Sequence, residues 1–307
     1  MAIINLLRRL DPTTLQLFLA IQEEGTLTRA AEREAIAVSA ASKRLTDLEQ
    51  ALGVELFVRK ARGMELTPAG ATLLTHARRM LLSVEKIGVE LAEHAQGVRG
   101  YVRMVANLSA IVEFLPEDLR LFLQQHEQVK LDLEERPSDN VVRAVEDSWA
   151  DIGICSGDVD TRDLHSQLYR RDRLVLVMRG DHRLARRDHV AFAETLNCDH
   201  VGLHVNSSIN SRMHLAARAA GRALKVRIQV PGFDAVCRMA QVGMGLGVIP
   251  YDVFLAIGRP LGLAAVALED AWAERELKVI VRDVKALSPV TQALFGHLCS
   301  AEARSAA

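Results

Sequence analysis

Along the first seventy residues, apolar positions recur every three or four places in three short blocks, each bounded by residues that start or stop helices. Asp11-Pro12 predicts an N-cap with proline at the first helical position, and Leu10 and Leu15 are spaced as a hydrophobic staple. Leu15, Phe18, Leu19 and Gln22 keep helical spacing up to Gly25, the residue that ends the helix. Thr26 predicts the cap of a second short helix, Leu27 to about Arg33, whose Ala30 and Ala31 permit close helix packing. A third helix, from about Ser39 to Gln50, buries Ala41, Leu45, Leu48 and Leu52 and stops at Gly53. Val54 to Arg59 and Met64 to Thr67 then read as two strands joined by Lys60-Ala61-Arg62-Gly63. Three helices followed by a hairpin with a basic tip predict a winged helix-turn-helix, with the third helix entering the major groove. Its outward face offers Val38, Ser39, Ser42, Lys43, Arg44 and Thr46, while Arg59, Lys60 and Arg62 lie in the wing, where cations release counterions from phosphates.

Thr67-Pro68 repeats the cap-plus-proline start, and no breaker follows until Gly88. Leu74, Ala77, Leu81, Val84, Gly88, Leu91 and Ala95 alternate three and four apart, a heptad seam, and Leu73, Met80 and Ile87 widen it. Such a face either pairs with a second helix or packs on its own domain, and periodicity alone does not separate the two.

From Gly97 the period switches to strands alternating with helices. Tyr101 to Ala106, a helix to about Gln125, Val129 to Glu135, a helix from about Asp139 to Asp147, and Asp151 to Cys155 form a βαβαβ pattern, which predicts a parallel sheet. A strand from Asp172 to Met178 follows, then further units through Val248-Ile249, a strand Leu277 to Arg282 and a helix Thr291 to Ala301.

Composition narrows the class. The 307 residues are 49% apolar and 25% charged, as in ordinary globular proteins. No secretory signal is visible, and the most apolar stretch, Val242 to Leu268, is interrupted by Pro250, Asp252, Arg259 and Pro260, so a cytoplasmic protein without a membrane span is expected. Net charge is −1, and nine basic and nine acidic residues precede Ala69, so the case for DNA rests on where the charges fall. Cys155, Cys198, Cys237 and Cys299 lie far apart with no CxxC pair, which argues against zinc or a disulfide framework and leaves a redox pair as the alternative. Gly243-Met244-Gly245-Leu246-Gly247 lacks the GxGxxG spacing, and no GxxxxGK[ST], GxSxG or HExxH occurs, so neither an enzyme nor a cofactor is expected.

The stretch GTLTRAAEREAIAVSAASKRLTDLEQALGVELFVRKARGMELTPAG closely resembles the winged helix-turn-helix of LysR-type transcriptional regulators. Its spaced elements are Gly-Thr-Leu-Thr-x-Ala-Ala, Ser-Lys-Arg-Leu-x-x-Leu-Glu, LGxxLFxR and LTPAG, and ADIGI, GDHRLA and QVGMGLGVIP extend the likeness along the chain. The resemblance implies an α/β chain with winged helix-turn-helix 1–67, a linker and dimerisation helix 68–96, and an effector-binding domain 97–307. That domain would have two Rossmann-like subdomains like those of periplasmic solute-binding proteins, the first about 97–169 with 269–307, the second about 170–268. It further implies a dimer of dimers on an interrupted palindromic operator in double-stranded DNA, contact with RNA polymerase, and a small-molecule effector between the subdomains. Ser42, Lys43 and Arg59 match family positions that contact DNA. Ala37-Val38-Ser39 departs from the usual Ser-Gln-Pro or Ser-Gln-Ser; the recognition helix loses a cap unless Ser39 supplies it, and Val38 offers a base only apolar contact.

Ligands in open α/β folds bind beyond the C-terminal ends of strands. Asn107, Ser109 and Ala110 lie there, with Ser109 either a plain helix cap or an effector contact. His204, Asn206 and Ser207 form a second polar loop, and Arg136 is either an anion partner or a surface ion pair with its acidic neighbours. Phe233 and Gly245 complete the candidates, and the polar set favours a small polar or anionic ligand. The alternative is an α/β solute-binding or enzyme-like module with an accessory DNA-binding domain, which a catalytic constellation in the cleft would mark.

Overall fold

The computed structural model describes residues 9–60, 63–96 and 100–300. Packing divides the chain near residue 97 into two compact units. In the first, α1 (Pro12–Glu24), α2 (Leu27–Arg33) and α3 (Val38–Leu52) precede a hairpin of β1 (Phe57–Lys60) and β2 (Gly63–Leu66) and the long α4 (Pro68–Gln96). The caps act as read: Asp11 accepts from Thr14 N, Thr26 from Arg29 N, and Gly25 and Gly53 close α1 and α3 in the left-handed region. Helix α3 begins at Val38, one residue before the expected start, with Ala37 at the cap and no side-chain hydrogen bond there, so Ser39 is not the cap. Val54 to Leu56 are not strand, because the Glu49 carboxylate accepts from Leu56 N at 2.8 Å and holds that segment against α3.

Leu15, Phe18, Ile21, Ala30, Ala41, Leu48, Leu56 and Ala77 form one apolar core, with Leu74 and Leu81 packed against it. The start of the heptad seam therefore packs on its own domain. Met80 (42% exposed), Val84 (50%) and Ile87 (55%) are left uncovered on α4. The Leu91 and Ala95 side chains lie outside the described residues, as does Arg62 in the wing.

The second unit has two apolar cores. Around the first, β3 (Tyr101–Ala106) runs parallel to β4 (Lys130–Glu135) and β5 (Ile152–Ser156), flanked by α5 (Leu108–Glu113), α6 (Leu115–Gln125), α7 (Ser138–Glu146) and α12 (Pro289–Cys299). Around the second, β8 (His200–Leu203) runs parallel to β9 (Val226–Val230) and β10 (Leu246–Pro250), with the two-residue β7 (His189–Val190) and helices α8 (Phe192–Thr195), α9 (Ser208–Ala219), α10 (Phe233–Gln241) and α11 (Tyr251–Val253) in the same subdomain. Two strands join them. β6 (His165–Arg179) pairs antiparallel with β12 (Glu274–Val281) in its first half, and with β10 and β11 (Leu263–Leu268) in its second. Tyr169 belongs to one core and Leu174 to the other, so β6 is a single strand crossing between subdomains, seven residues longer at its start than expected. The chain returns at Ala273 to Leu277, beyond Leu268.

Candidate functional site

On the first unit, Val38 is 43% exposed, and Ser39, Lys43, Arg44 and Thr46 are exposed beside half-buried Ser42, all on α3 opposite its buried Ala41, Leu45 and Leu48. Several cations of this neutral unit are already paired. Arg33 meets Glu23 and Glu24, Arg9 meets Asp47, and Lys60 meets Glu65 across the hairpin at 3.3 Å. Arg44 turns back to the α1 cap, donating to Thr14 Oγ1 at 3.0 Å and lying 3.5 Å from Asp11, so it braces α3 as well as facing outward. Lys43 on α3 and Arg59 on β1 have no ion-pair partner among the described residues, and neither does exposed Arg29 on α2, which sequence reasoning did not select. Unpaired cations on an exposed helix face and an adjoining wing strand are what a phosphate backbone requires.

In the second unit, Asn107, Ser109 and Arg136 from the first subdomain and His204, Ser207 and Phe233 from the second line one cleft. Parallel strands explain the convergence: Asn107 follows β3, Arg136 follows β4 and His204 follows β8, each at a C-terminal strand end. Ser138 and Ser208 join the lining, and both begin helices that follow these loops.

Three candidates fall elsewhere. Ala110 is fully buried in the first core, one residue round α5 from Ser109. Asn206 is exposed at the tip of the His204–Ser207 turn. Gly245 precedes β10, at the N-terminal end of the parallel strands, and a Cβ there would stand 2.7 Å from Asp199 O; it borders a separate cavity of about 520 Å³ with Arg179, Arg183 and Arg227.

Hydrogen bonding decides what the cleft presents. The α5 cap is Asn107, whose Oδ1 accepts from Ala110 N at 3.0 Å, and not Ser109. Ser138 Oγ accepts from Asn107 Nδ2 (3.2 Å) and Ser156 N (3.1 Å), and Ser109 Oγ accepts from Arg275 Nη2 (3.1 Å). Both Ser138 lone pairs and one of Ser109 are taken by protein donors, and each hydroxyl keeps its proton to offer. Arg136 grips Glu134 through Nε at 2.7 Å, the surface ion pair that its acidic neighbours suggested. The cleft encloses only about 20 Å³, room for roughly one water. Arg212 of α9 reaches Asp158 beyond β5 at 3.1 Å and bridges the two subdomains.

Two family models match: the bacterial regulatory helix-turn-helix of the lysR family over residues 12–71, and the LysR substrate binding domain over residues 95–301. The second covers more than half of the chain. The chain belongs to the LysR family of transcriptional regulators. An uncharacterised HTH-type transcriptional regulator of Mycobacterium tuberculosis is 32% identical over 192 residues, 60% of this chain and 61% of that relative, so the match spans under two thirds of its length. The crystal structure of CbnR, a LysR family transcriptional regulator, superposes with a TM-score of 0.72 at 20% identity, over 95% of this chain and 99% of that one. CbnR has also been solved full-length with its target DNA (TM-score 0.69, 21% identity, 96% and 99% covered). The effector binding domain of QuiR in complex with shikimate gives 0.59 at 15% identity, over 67% of this chain and 98% of that one.

Much of the LysR signature in this chain serves the scaffold. Glu49 holds Leu56 N, and Thr67 Oγ1 accepts from Gly70 N and donates to Glu55 O at 2.7 Å. A Cβ on Gly70 would overlap Leu56 O, and one on Gly63 would overlap Gly25 O, where Met64 N donates at 2.8 Å and pins the wing to the α1–α2 turn. All four cysteines are free thiols, and burial pushes Cys155 up to about 12 and Cys237 and Cys299 up to about 11, which keeps those thiols protonated and weakly nucleophilic. Among the described residues no helix is long and apolar enough to cross a membrane.

Proposed function

We propose that this LysR-family chain is a cytoplasmic regulator that reads an interrupted palindromic operator through α3 and its wing, under control of a small oxyanion bound between the two effector subdomains. The convergence of Asn107, Ser109 and Ser138 with His204, Ser207 and Phe233 on one cleft carries the reading. Hydroxyls left as donors favour a ligand group that only accepts, such as a carboxylate, and shikimate in the QuiR domain is a ligand of that kind. A cleft of about 20 Å³ admits such a ligand only when the subdomains part, with β6 and β12 as hinge strands and the Arg212–Asp158 pair released. Differential affinity of the ligand for the open and closed forms supplies the coupling to DNA.

Domain roles follow the same division: 1–67 for operator contact, 68–96 for dimerisation and 97–307 for effector binding, with Val38, Ser39, Ser42, Lys43, Arg44, Arg59, Lys60 and Arg62 at the DNA. Exposed Met80, Val84 and Ile87 on α4 support pairing with a second copy, and two such pairs form the dimer of dimers that presents the recognition helices to RNA polymerase-proximal half-sites. Enrichment of random duplex DNA on the full chain tests the first claim. A palindromic consensus that weakens at least tenfold in Lys43→Ala/Arg59→Ala is expected, and removing each phosphate-binding cation should also lower the salt slope by about one. No enrichment at low salt would overturn it. Thermal shift with small carboxylates and their amides then tests the ligand class: stabilisation by acids alone is expected, and equal response to amides would overturn it.

A further inference from the structure

Behind the cleft, α5 carries Ser109 and Glu113 one turn apart on the same helix face. Between them lies Arg275 of β12, its side chain fully enclosed. Arg275 donates through Nη2 to Ser109 Oγ at 3.1 Å and through Nε to Asp172 Oδ1 at 2.8 Å, with Nη2 also on Asp172 Oδ2. Glu113 Oε1 stands 4.0 Å from the same Nη2, and its side chain too is fully enclosed. Asp172 sits on β6 and Arg275 on β12, where those strands pass between the subdomains.

Two ionised carboxylates on one guanidinium leave a net negative charge without solvent, which is costly; one proton makes the cluster neutral. Neither Glu113 oxygen has a hydrogen-bond partner among the described residues, while Asp172 takes Arg275 through both its oxygens, so an ionised Glu113 would be the uncompensated buried charge. We propose that Glu113 carries a proton beside the Asp172–Arg275 ion pair, and that this proton, through Arg275, sets the position of the Ser109 hydroxyl.

The surrounding charges agree. Burial, then the negative charge of Asp172, pushes Glu113 up to about 9 against the pull of Arg275, and Asp252 from the segment after β10 adds repulsion. Asp172 and Asp252 also border an open cavity of about 240 Å³ with Arg171, Arg173 and Glu274, a route for the proton to solvent. Arg173 itself lies over the Tyr251 ring at 4.3 Å. Glu113 and Arg275 are thus positioning residues for Ser109. A further consequence rests on the cleft being the effector site: an acceptor drawing on Ser109 and the proton on Glu113 strengthen one another's binding, by reciprocity of linkage.

Infrared difference spectroscopy of the full chain without ligand tests the pair. A buried protonated carboxyl band is expected at pH 7, absent in Glu113→Gln, and lost in the wild type as pH rises past about 9. Ser109→Ala frees Nη2 for Glu113, and the midpoint of band loss should fall by at least about one pH unit, a tenfold weaker proton. Should that variant not fold, Ser109→Cys, with its poorer acceptor, makes the same comparison. No band at pH 7, a band that persists in Glu113→Gln, or an unchanged midpoint without the hydroxyl would overturn the proposal. All readouts are free of ligand, so a failed effector reading leaves them intact, and their failure leaves the cleft reading standing.

Discussion

The two units bury different things. Among the described residues the DNA-binding unit buries one polar side chain, Thr14, and otherwise packs leucine, isoleucine, phenylalanine and alanine. The effector unit buries Asn107, Ser109, Asp118, Ser138, Arg170, Asp172, His200 and Arg275, most of them wired to one another. An apolar core with function on its outer face can be rigid and ready, since its unpaired cations already stand in solvent. Polar groups kept inside a unit need partners there, since water cannot reach them. An apolar core in one half and a wired polar interior in the other suit the sensor-coupled DNA reader proposed above.

The largest effect should come from breaking that wiring. Asp118 on α6 accepts from Arg170 Nη2 at 2.9 and 3.0 Å and from Tyr169 Oη at 2.6 Å, with Arg170 and Asp118 both buried. Asp118→Ala removes the carboxylate that balances the buried Arg170, at a cost of about 3–5 kcal/mol in denaturant unfolding of the effector unit. A cost under about 1 kcal/mol would mean that the network adds specificity without stability.

Acid should act on the same unit nearly as strongly. His200 is fully buried, its Nε2 3.1 Å from Thr195 Oγ1, and burial lowers its pKa from 6.5 to about 4. The unfolded chain takes up a proton first as pH falls below 6.5, so the stabilising contribution is whole above that pH and is lost progressively down to about 4. That is about 3 kcal/mol over the window, read as a fall in melting temperature of the effector unit that His200→Gln should flatten. The DNA-binding unit, without a buried histidine among its described residues, should not follow it.

The same contrast explains what was legible in the sequence. Caps, breakers and apolar spacing placed α1, α2, α3 and α4 within a residue or two, because they are local and the core they serve is apolar. The exceptions were tertiary: Glu49 holding Leu56 shortened the wing strand, and Ala77 serves the core and not a partner. In the effector unit the expected strand began only at Asp172, yet Arg170-Arg171-Asp172-Arg173 is the middle of β6, with Arg170 answered by Asp118 and Asp172 by Arg275. Those partners lie 52 and 103 positions away, which no local pattern reveals. The cleft was partly legible since strand ends announce it, while the donor role of its hydroxyls depends on partners equally distant in sequence.

One substitution at two glycines of α4 sharpens the comparison at a smaller scale. A Cβ at Gly70 overlaps Leu56 O and stands 2.9 Å from Leu66 Cδ2, so Gly70→Ala should destabilise the DNA-binding unit by about 1–3 kcal/mol. Gly88 has open space around it in mid-helix, so Gly88→Ala should stabilise by roughly 0.5–1 kcal/mol. Equal effects in thermal unfolding of the full chain would show that close backbone approach does not govern this core.

The smallest change concerns the start of α3, which lacks a side-chain cap. Ala37 has the extended backbone of an N-cap (φ −64°, ψ 139°), but no side chain to accept from the first turn of α3. Ala37→Ser supplies an oxygen within reach of the Ser39 and Ala40 amides, and should stabilise by about 1 kcal/mol. Exchange of those two amides with solvent should slow about fivefold, while amides at the far end of α3 stay unchanged. Operator affinity should rise slightly or hold, because the helix already begins at Val38 and keeps its outward face. If exchange slows but affinity falls, a loose first turn is part of how this regulator fits its site, and the rigid-reader half of the comparison would need to be given up at that turn.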